Sequence, residues 1–158
     1  MPDTDETRAL MARTDVFLDV PEAVLEAVLG IARTESLRRG EEVFREGSAG
    51  EDMFLVLTGA IELTTEVGRT STQRLALLDR GQIFGELACF DALPRSATAT
   101  AFVDADLLRI PGSELRGLIA QNPGLAASLL RNLVKKLSLR LRDADQEIRS
   151  LSAAAARH

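Results

Sequence analysis

Tryptophan and tyrosine are absent from the 158 residues and phenylalanine occurs only six times. The core must therefore be built mainly from Leu, Val, Ile and Ala, and the aromatic platforms on which single-stranded nucleic acids stack are scarce. The one cysteine, Cys89, has no partner for an internal disulfide, and the one histidine, His158, is the last residue. Those two counts exclude Cys–His and Ser–His–Asp catalysis and His-rich metal sites, so no catalytic residue, metal ligand or cofactor is expected. A basic excess is missing as well. Lys and Arg number 19 against 24 Asp and Glu, a net charge of −5, which is not the footprint of a nucleic-acid binder. No stretch reaches the roughly 18 apolar residues of a membrane span. The N-terminus, MPDTDETR, is acidic where a signal peptide is basic. The expected location is the cytoplasm.

What is present describes a folded chain. A hydrophobic share of 46% beside 27% charged residues argues against disorder. A chain of roughly 150 residues buries about 68–70% of its unfolded surface, enough for one domain with a real core. Residues 1–14 are polar with an amphipathic stretch at Leu10 and Met11, residues 15–121 form the expected domain, and residues 122–158 form a C-terminal helix and tail. Pro21 before Glu22 suits the N1 position of a helix. Val24, Leu25, Val28 and Leu29 recur behind it at helical spacing.

From Glu35 to Ile110 the pattern breaks into short runs punctuated by glycines 40, 47, 50, 59, 68, 81 and 85. Six segments read as strands: Glu42–Arg45, Met53–Leu57, Ala60–Val67, Ser71–Leu78, Ser96–Phe102 and Leu107–Ile110. Ile61, Leu63, Thr65 and Val67 alternate with more polar neighbours, and Gly68 marks a hairpin turn. Such spacing predicts a small antiparallel barrel or sandwich.

After Pro111 the helical period returns. Ser113 is a candidate cap for a helix to Ala120, and Asn122-Pro123 starts a long helix to about Ser152. Within it Leu130, Val134, Leu137, Leu141, Ala144, Ile148 and Leu151 are spaced alternately four and three apart, a heptad seam. Mostly β-branched residues at one position and mostly Leu at the other favour a parallel two-stranded coil, hence a homodimer. The same seam would also serve to pack on the protein's own barrel. Lys135, Lys136, Arg140 and Arg142 on this helix read as a solvated face.

The informative stretch is GQIFGELACFDALPRSATATA, residues 81–101. Gly85 lets a backbone come close to a ligand, and a helical turn beginning there aims free N–H groups at an anion. Arg95 adds a planar fork of donors for the same anion, while Glu86, an acceptor when ionised, suits a sugar hydroxyl. Taken alone, the residues equally describe a turn, a solvated carboxylate and Arg95 as its ion-pair partner. Cys89, among apolar neighbours, reads as core filler, as do Phe44, Phe54 and Phe84.

At these residues the chain resembles the cyclic-nucleotide-binding domain family, shared by catabolite-activator-type regulators, kinase regulatory subunits and cyclic-nucleotide-gated channels. Phe84 to Ala88 and Pro94 to Thr98 match the two blocks of its phosphate-binding cassette, and the nine-residue spacing from Glu86 to Arg95 is that of the kinase type. The block from Gly40 through Val43, Phe44, Glu46 and Gly47 to Asp52, Phe54 and Gly59 looks like the family's first barrel half. The resemblance implies an eight-stranded antiparallel jelly-roll β-barrel with N-terminal helices and a long C-terminal helix. It implies ligand contacts from Phe84, Gly85, Glu86, Leu87, Ala88, Pro94, Arg95, Ser96 and Ala97. Glu86 would accept the ribose 2′-hydroxyl, Gly85, Leu87 and Ala88 would supply backbone donors, Arg95 would hold the cyclic phosphate, and Ser96 would lie beside phosphate or base. With no aromatic residue after Phe102, a purine cap would have to be aliphatic, from Leu129, Leu133 or Leu137.

The expected function is a cyclic-nucleotide sensor and not an enzyme. Cyclic AMP is the first choice of ligand and cyclic GMP the alternative, with occupancy passed through the C-terminal helix to an effector protein. The helix-turn-helix domain that follows this helix in the transcription regulators has no counterpart in the sequence, so no nucleic-acid partner is expected. The rival reading is a ligand-free interaction module on the same fold.

Overall fold

The computed structural model describes residues 3–157; His158 lies outside them. Two short helices, α1 (Thr4–Ala12) and α2 (Glu22–Ile31), precede eight strands: β1 (Arg33–Leu37), β2 (Glu42–Phe44), β3 (Met53–Thr58), β4 (Ala60–Val67), β5 (Ser71–Asp79), β6 (Ile83–Phe84), β7 (Thr98–Ala101) and β8 (Ala105–Ile110). Helix α3 (Glu86–Asp91) interrupts them between β6 and β7, and α4 (Gly112–Gln121) and α5 (Pro123–Ala155) follow.

The strands form two four-stranded antiparallel sheets, ordered β1-β8-β3-β6 and β2-β7-β4-β5. Among the described residues no ladder joins one sheet to the other, so the closed barrel of the expectation is replaced by two facing sheets. The β4–β5 hairpin turns at Gly68 with Val67 opposite Ser71, where the sequence pattern places it. Two strands lack a sequence signal. In β1, RTESL, only Leu37 is buried, and β6 has two residues, too few to show a period.

Strand β3 explains how the core divides. Its first five residues are all buried, and because successive side chains point to opposite faces, one run serves two cores. Met53, Leu55 and Leu57 pack under the helices with Met11, Phe17, Leu25, Ile110 and Leu115. Phe54 and Val56 face the space between the sheets with Ile61, Phe84, Ala99 and Leu107.

Helix starts differ from expectation in instructive ways. Pro21 is the N-cap of α2 and not its first helical residue, and its carbonyl accepts from the Val24 and Leu25 amides. Ser113 lies inside α4. The first amide of that helix, on Gly112, donates instead to the Asp52 carboxylate at 3.1 Å, a cap supplied from sixty residues upstream. Asn122 is the N-cap of α5 but does not cap with its side chain, which donates to the Leu118 carbonyl and closes α4.

Helix α5, about 50 Å long at 1.5 Å per residue, is half anchored and half free. Leu125, Leu129, Asn132 and Leu133 are buried, and the Asn132 amide donates to the carbonyls of Val16 and Leu18 at 2.8 Å each. Every described residue from Leu137 onward is exposed. The heptad seam is not the buried face: Leu130, Val134, Leu141, Ile148 and Leu151 are each at least 60% exposed, Leu137 44%, and Ala144 is exposed. The option that the seam packs on the protein's own sheets is therefore overturned. None of the described helices is long and apolar enough to cross a membrane.

Candidate functional site

Gly85, at φ +75°, bends the chain out of β6 and is the N-cap of α3. The amides of the first helical turn, from Glu86, Leu87 and Ala88, have no partners within the helix, and these three residues line a space shared with the loop carrying Pro94 and Arg95. That loop is tied to the one before β3. The Arg95 amide donates to the Ser48 carbonyl at 2.9 Å, and the Gly47 amide donates to the Arg95 carbonyl at 2.8 Å.

The Arg95 side chain is buried at 6% exposure, although it carries a charge. Its two terminal nitrogens donate to carbonyls, Nη1 to Gly85 at 3.1 Å and Nη2 to Asp52 at 2.8 Å, and its guanidinium lies 4.2 Å from the centre of the Phe44 ring. Phe44 in turn belongs to a cluster with Phe54 and Phe84, centroids 5.2–5.9 Å apart, of which Phe44 and Phe84 line this site. A side chain at Gly50 would reach Arg95 Nε and Nη2 at 3.1 Å, and one at Gly85 would reach Nη1 at 2.9 Å. Both glycines leave the guanidinium its room. Burial pulls the Arg95 pKa down and the nearby Asp52 carboxylate opposes that; the guanidinium stays charged. Its Nε is a buried donor without a partner among the described residues.

Glu86 is buried more deeply still, at 2% exposure, and Arg95 is not its ion-pair partner. The pair that a bland reading of the sequence expects is therefore not formed. The cations beside Glu86 come from α5: Lys136 Nζ stands 3.1 Å and Arg140 Nη1 3.7 Å from Glu86 Oε1. Both are at ion-pair distance, but neither donates an aligned hydrogen bond to that oxygen, which has no hydrogen-bond partner among the described residues. Buried polar atoms are almost always satisfied, so an acceptor and a donor that both lack an aligned hydrogen bond, on two residues lining one cavity, make it the candidate site for a polar molecule.

All nine residues singled out in the sequence, Phe84 to Ala88 and Pro94 to Ala97, line this one cavity of about 140 Å³. Phe44, Leu63, Asp91, Leu93 and Arg140 complete its wall. Ser96 and Ala97 thus belong to the cavity and not to β7, which begins two residues later than the sequence pattern places it. The leucines considered as a purine cap stand elsewhere. Leu129 and Leu133 are buried in the helix-side core and Leu137 is in none of the cavity wall; Arg140 is the contribution of α5. Lys136 and Arg140, 50 and 54 residues after Glu86, read from the sequence as part of a solvated face, whereas the structure sets both beside the buried Glu86 carboxylate. Their only signal is a spacing of four, which puts them on one helix face. Cys89 lies on the buried side of α3, and burial pushes its thiol up to about 11, so it stays protonated at neutral pH and acts as core filler.

The family model for the cyclic nucleotide-binding domain matches residues 34–122. A protein named cyclic AMP receptor protein from Thermus thermophilus is 36% identical over 121 residues, covering 76% of this chain and 54% of the relative. The crystal structure of the Thermus thermophilus catabolite activator protein superposes with a TM-score of 0.77 at 29% identity, over 87% of this chain and 63% of that one. A cyclic nucleotide-binding domain from Methylobacillus flagellatus shares the fold, with a TM-score of 0.79 at 24% identity over 91% of this chain and 83% of that one. The chain spans little more than half the length of the curated regulators it matches. The matched residues run from β1 through the cassette to α4, and they include every cavity residue named above except Arg140. On that match this chain belongs to the cyclic nucleotide-binding domain family.

Proposed function

We propose that the chain is a cyclic-nucleotide sensor, most responsive to cyclic AMP, that works as a homodimer and reports occupancy through α5 to an effector protein. The observation that carries this reading is the pairing of two buried, incompletely satisfied ions, Arg95 and Glu86, in one cavity at the start of α3. In this reading the cyclic phosphate lies against Arg95 and the amides of Gly85, Leu87 and Ala88, where fixed dipoles and a guanidinium favour an anion. Glu86 accepts the ribose 2′-hydroxyl. Phe84, Pro94 and Ala97 supply apolar wall, and Ser96 stands beside phosphate or base. The two sheets wind as a jelly roll around this cassette.

Titration calorimetry with cyclic AMP and cyclic GMP tests the proposal: saturable binding supports it, and no heat from either ligand returns the chain to the reading of a ligand-free interaction module. Recovery of the ligand unchanged separates a sensor from an enzyme. Ser96 decides between bases. If its hydroxyl meets a guanine amino group, Ser96→Ala weakens cyclic GMP by about tenfold, one hydrogen bond's worth, and leaves cyclic AMP within a factor of two. Equal changes for both ligands would remove Ser96 from base selection.

The dimer rests on the exposed seam. A row of seven exposed apolar residues along α5, five of them in its free half, is a liability in a monomer and is covered when two such helices wrap in parallel. Leu141→Lys places a charge in that seam and is expected to shift the protein to monomer in sedimentation at micromolar concentration. The melting of the sheet domain should be unchanged, since Leu141 is 63% exposed and touches no core.

A further inference from the structure

We infer that the ligand cavity and the helix seam meet at Arg140, and that Asp145 of a second copy of this chain completes the cavity by holding Arg140 in its wall. The inference rests on the readings of the chain as a cyclic-nucleotide sensor and as a parallel homodimer. Arg140 is the residue that α5 contributes to the cavity wall. It also borders the exposed seam, next to Leu141 and one turn after Leu137. Its place in the wall is loosely fixed. Nη1 is 3.7 Å from Glu86 Oε1, at ion-pair distance without an aligned hydrogen bond, and 51% of the side chain is exposed. Among the described residues, Glu86 is the only carboxylate at ion-pair distance from Arg140. A long side chain held by one such contact keeps much of its rotamer freedom, and a ligand that lies against this wall has to order it.

The seam brings a second carboxylate to the same guanidinium. With Val134, Leu141 and Ile148 at heptad position a and Leu130, Leu137, Ala144 and Leu151 at d, Arg140 is at g and Asp145 at e. In a parallel two-stranded coil, a g residue faces the e residue of the next heptad on the other helix. The g positions along the seam are Leu133, Arg140 and Glu147. Leu133 is buried in its own domain, Glu147 faces Ser152, and Arg140 faces Asp145. The one pairing of opposite charges across the seam therefore uses the residue that lines the cavity. Asp145 is exposed and belongs to no ion pair of its own chain among the described residues, so its carboxylate is available to the other helix. Two-fold symmetry forms the pair twice, once beside each cavity.

Held between its own Glu86 and Asp145 of the second copy, Arg140 is ordered before a ligand arrives, and the cost of ordering it is removed from binding. The effect is reciprocal: a dimer that binds the nucleotide more tightly than the monomer is itself tightened by the nucleotide. Occupancy then reaches the seam through one side chain, with no movement of the anchored half of α5.

The test is a cycle of Arg140→Gln, Asp145→Asn and the double variant, at two exposed positions of the free half of α5. Sedimentation gives the dimer constant of each chain, and titration calorimetry gives its affinity for cyclic AMP at concentrations where it is dimeric. Asp145→Asn is expected to weaken the dimer about fivefold, the worth of two exposed ion pairs, and to weaken cyclic AMP about threefold, the worth of ordering one long side chain. Once Arg140 is glutamine, Asp145→Asn should change neither value further. Cyclic AMP should tighten the wild-type dimer about tenfold, a threefold effect at each of two sites, and leave the dimers of the variants unchanged. An unchanged or tighter cyclic AMP affinity in Asp145→Asn, or an equal loss in the Arg140→Gln background, would show that Asp145 does not act on the cavity through Arg140 and would overturn the inference. A wild-type chain that binds cyclic AMP but stays monomeric at every concentration would overturn the dimer reading, and one that dimerises but binds no cyclic AMP would overturn the sensor reading; the inference falls with either.

Discussion

Replacing Arg95 by alanine is expected to weaken cyclic nucleotide binding by at least two orders of magnitude. A hydrogen bond to a charged group contributes about 1.5–3 kcal/mol, and a guanidinium offers a phosphate two of them in parallel. The loss is compounded because Arg95 also builds the site. With its side chain gone, the half-buried carbonyls of Gly85 and Asp52 lose their donors and the face of Phe44 loses its cover. About 1–3 kcal/mol of stability is expected to go with each carbonyl left dry, less wherever water enters the vacated space. Calorimetric titration and a melting curve on the same preparation separate the two effects. Arg95→Lys sharpens the comparison, since an ammonium keeps the charge but cannot reach both carbonyls and the phosphate as a planar fork. It should retain most of the stability and little of the affinity. An Arg95→Lys chain that binds as tightly as the wild type would show that charge alone, and not the fork, holds the phosphate.

Gly59→Ala is expected to produce the largest loss of stability of any single methyl added to this chain. Gly59 joins β3 to β4, and thus one sheet to the other, with φ at +78°. An alanine there accepts a left-handed backbone at a cost of about 1–2 kcal/mol. Its Cβ would also overlap the Asp104 carbonyl and lie 2.8 Å from Ala105 Cα and 2.9 Å from Ala105 Cβ. Two of those three atoms are backbone, and overpacking that only backbone movement can relieve costs roughly a further 1–3 kcal/mol. At about 2–4 °C per kcal/mol for a chain of this size, the melting midpoint should fall by roughly 10 °C. Gly68→Ala is the control. It has a similar φ of +68° but open space around the added methyl, so it should pay the backbone strain alone. Equal melting losses for the two variants would show that the contact with Asp104 and Ala105 relaxes without cost.

Much of the site was legible because the cassette is local. Gly85, Glu86 and Arg95 lie within eleven residues, a turn and a short helix suffice to bring them together, and each has a chemical reason to be of its type. The strands with a period or a long apolar run, β3 and β4 above all, were legible for the same reason: burial on one or both faces writes itself into the order of the side chains. Strand β6 escaped because two residues carry no period, and β1 because only one of its five residues is buried. The cap of α4 escaped because Asp52, and not the nearby Ser113, supplies it.

The partners of Glu86 escaped for a deeper reason. On the sequence, Lys136 and Arg140 are two of several basic residues on a helix, and nothing local distinguishes them from the exposed Lys135 and Arg142 beside them. Their role comes from the angle at which α5 crosses the cassette, set by Asn132 on the carbonyls of Val16 and Leu18 and by Leu125, Leu129 and Leu133 in the core. The same packing decided which stripe of α5 is buried. A heptad pattern specifies that a face is apolar, not what covers it, and here the core takes Leu129 and Leu133 while Leu130, Val134 and Leu137 are left to solvent. By itself, then, the amino-acid order determined the strand-rich fold, the candidate binding pair Glu86 and Arg95 and the apolar seam, since these follow from spacing and side-chain chemistry over short distances. Only the tertiary structure decided that Glu86 and Arg95 are held apart, each buried and each short of a partner, and that α5 supplies the cations beside Glu86, because those facts depend on how segments fifty residues apart come to rest on one another.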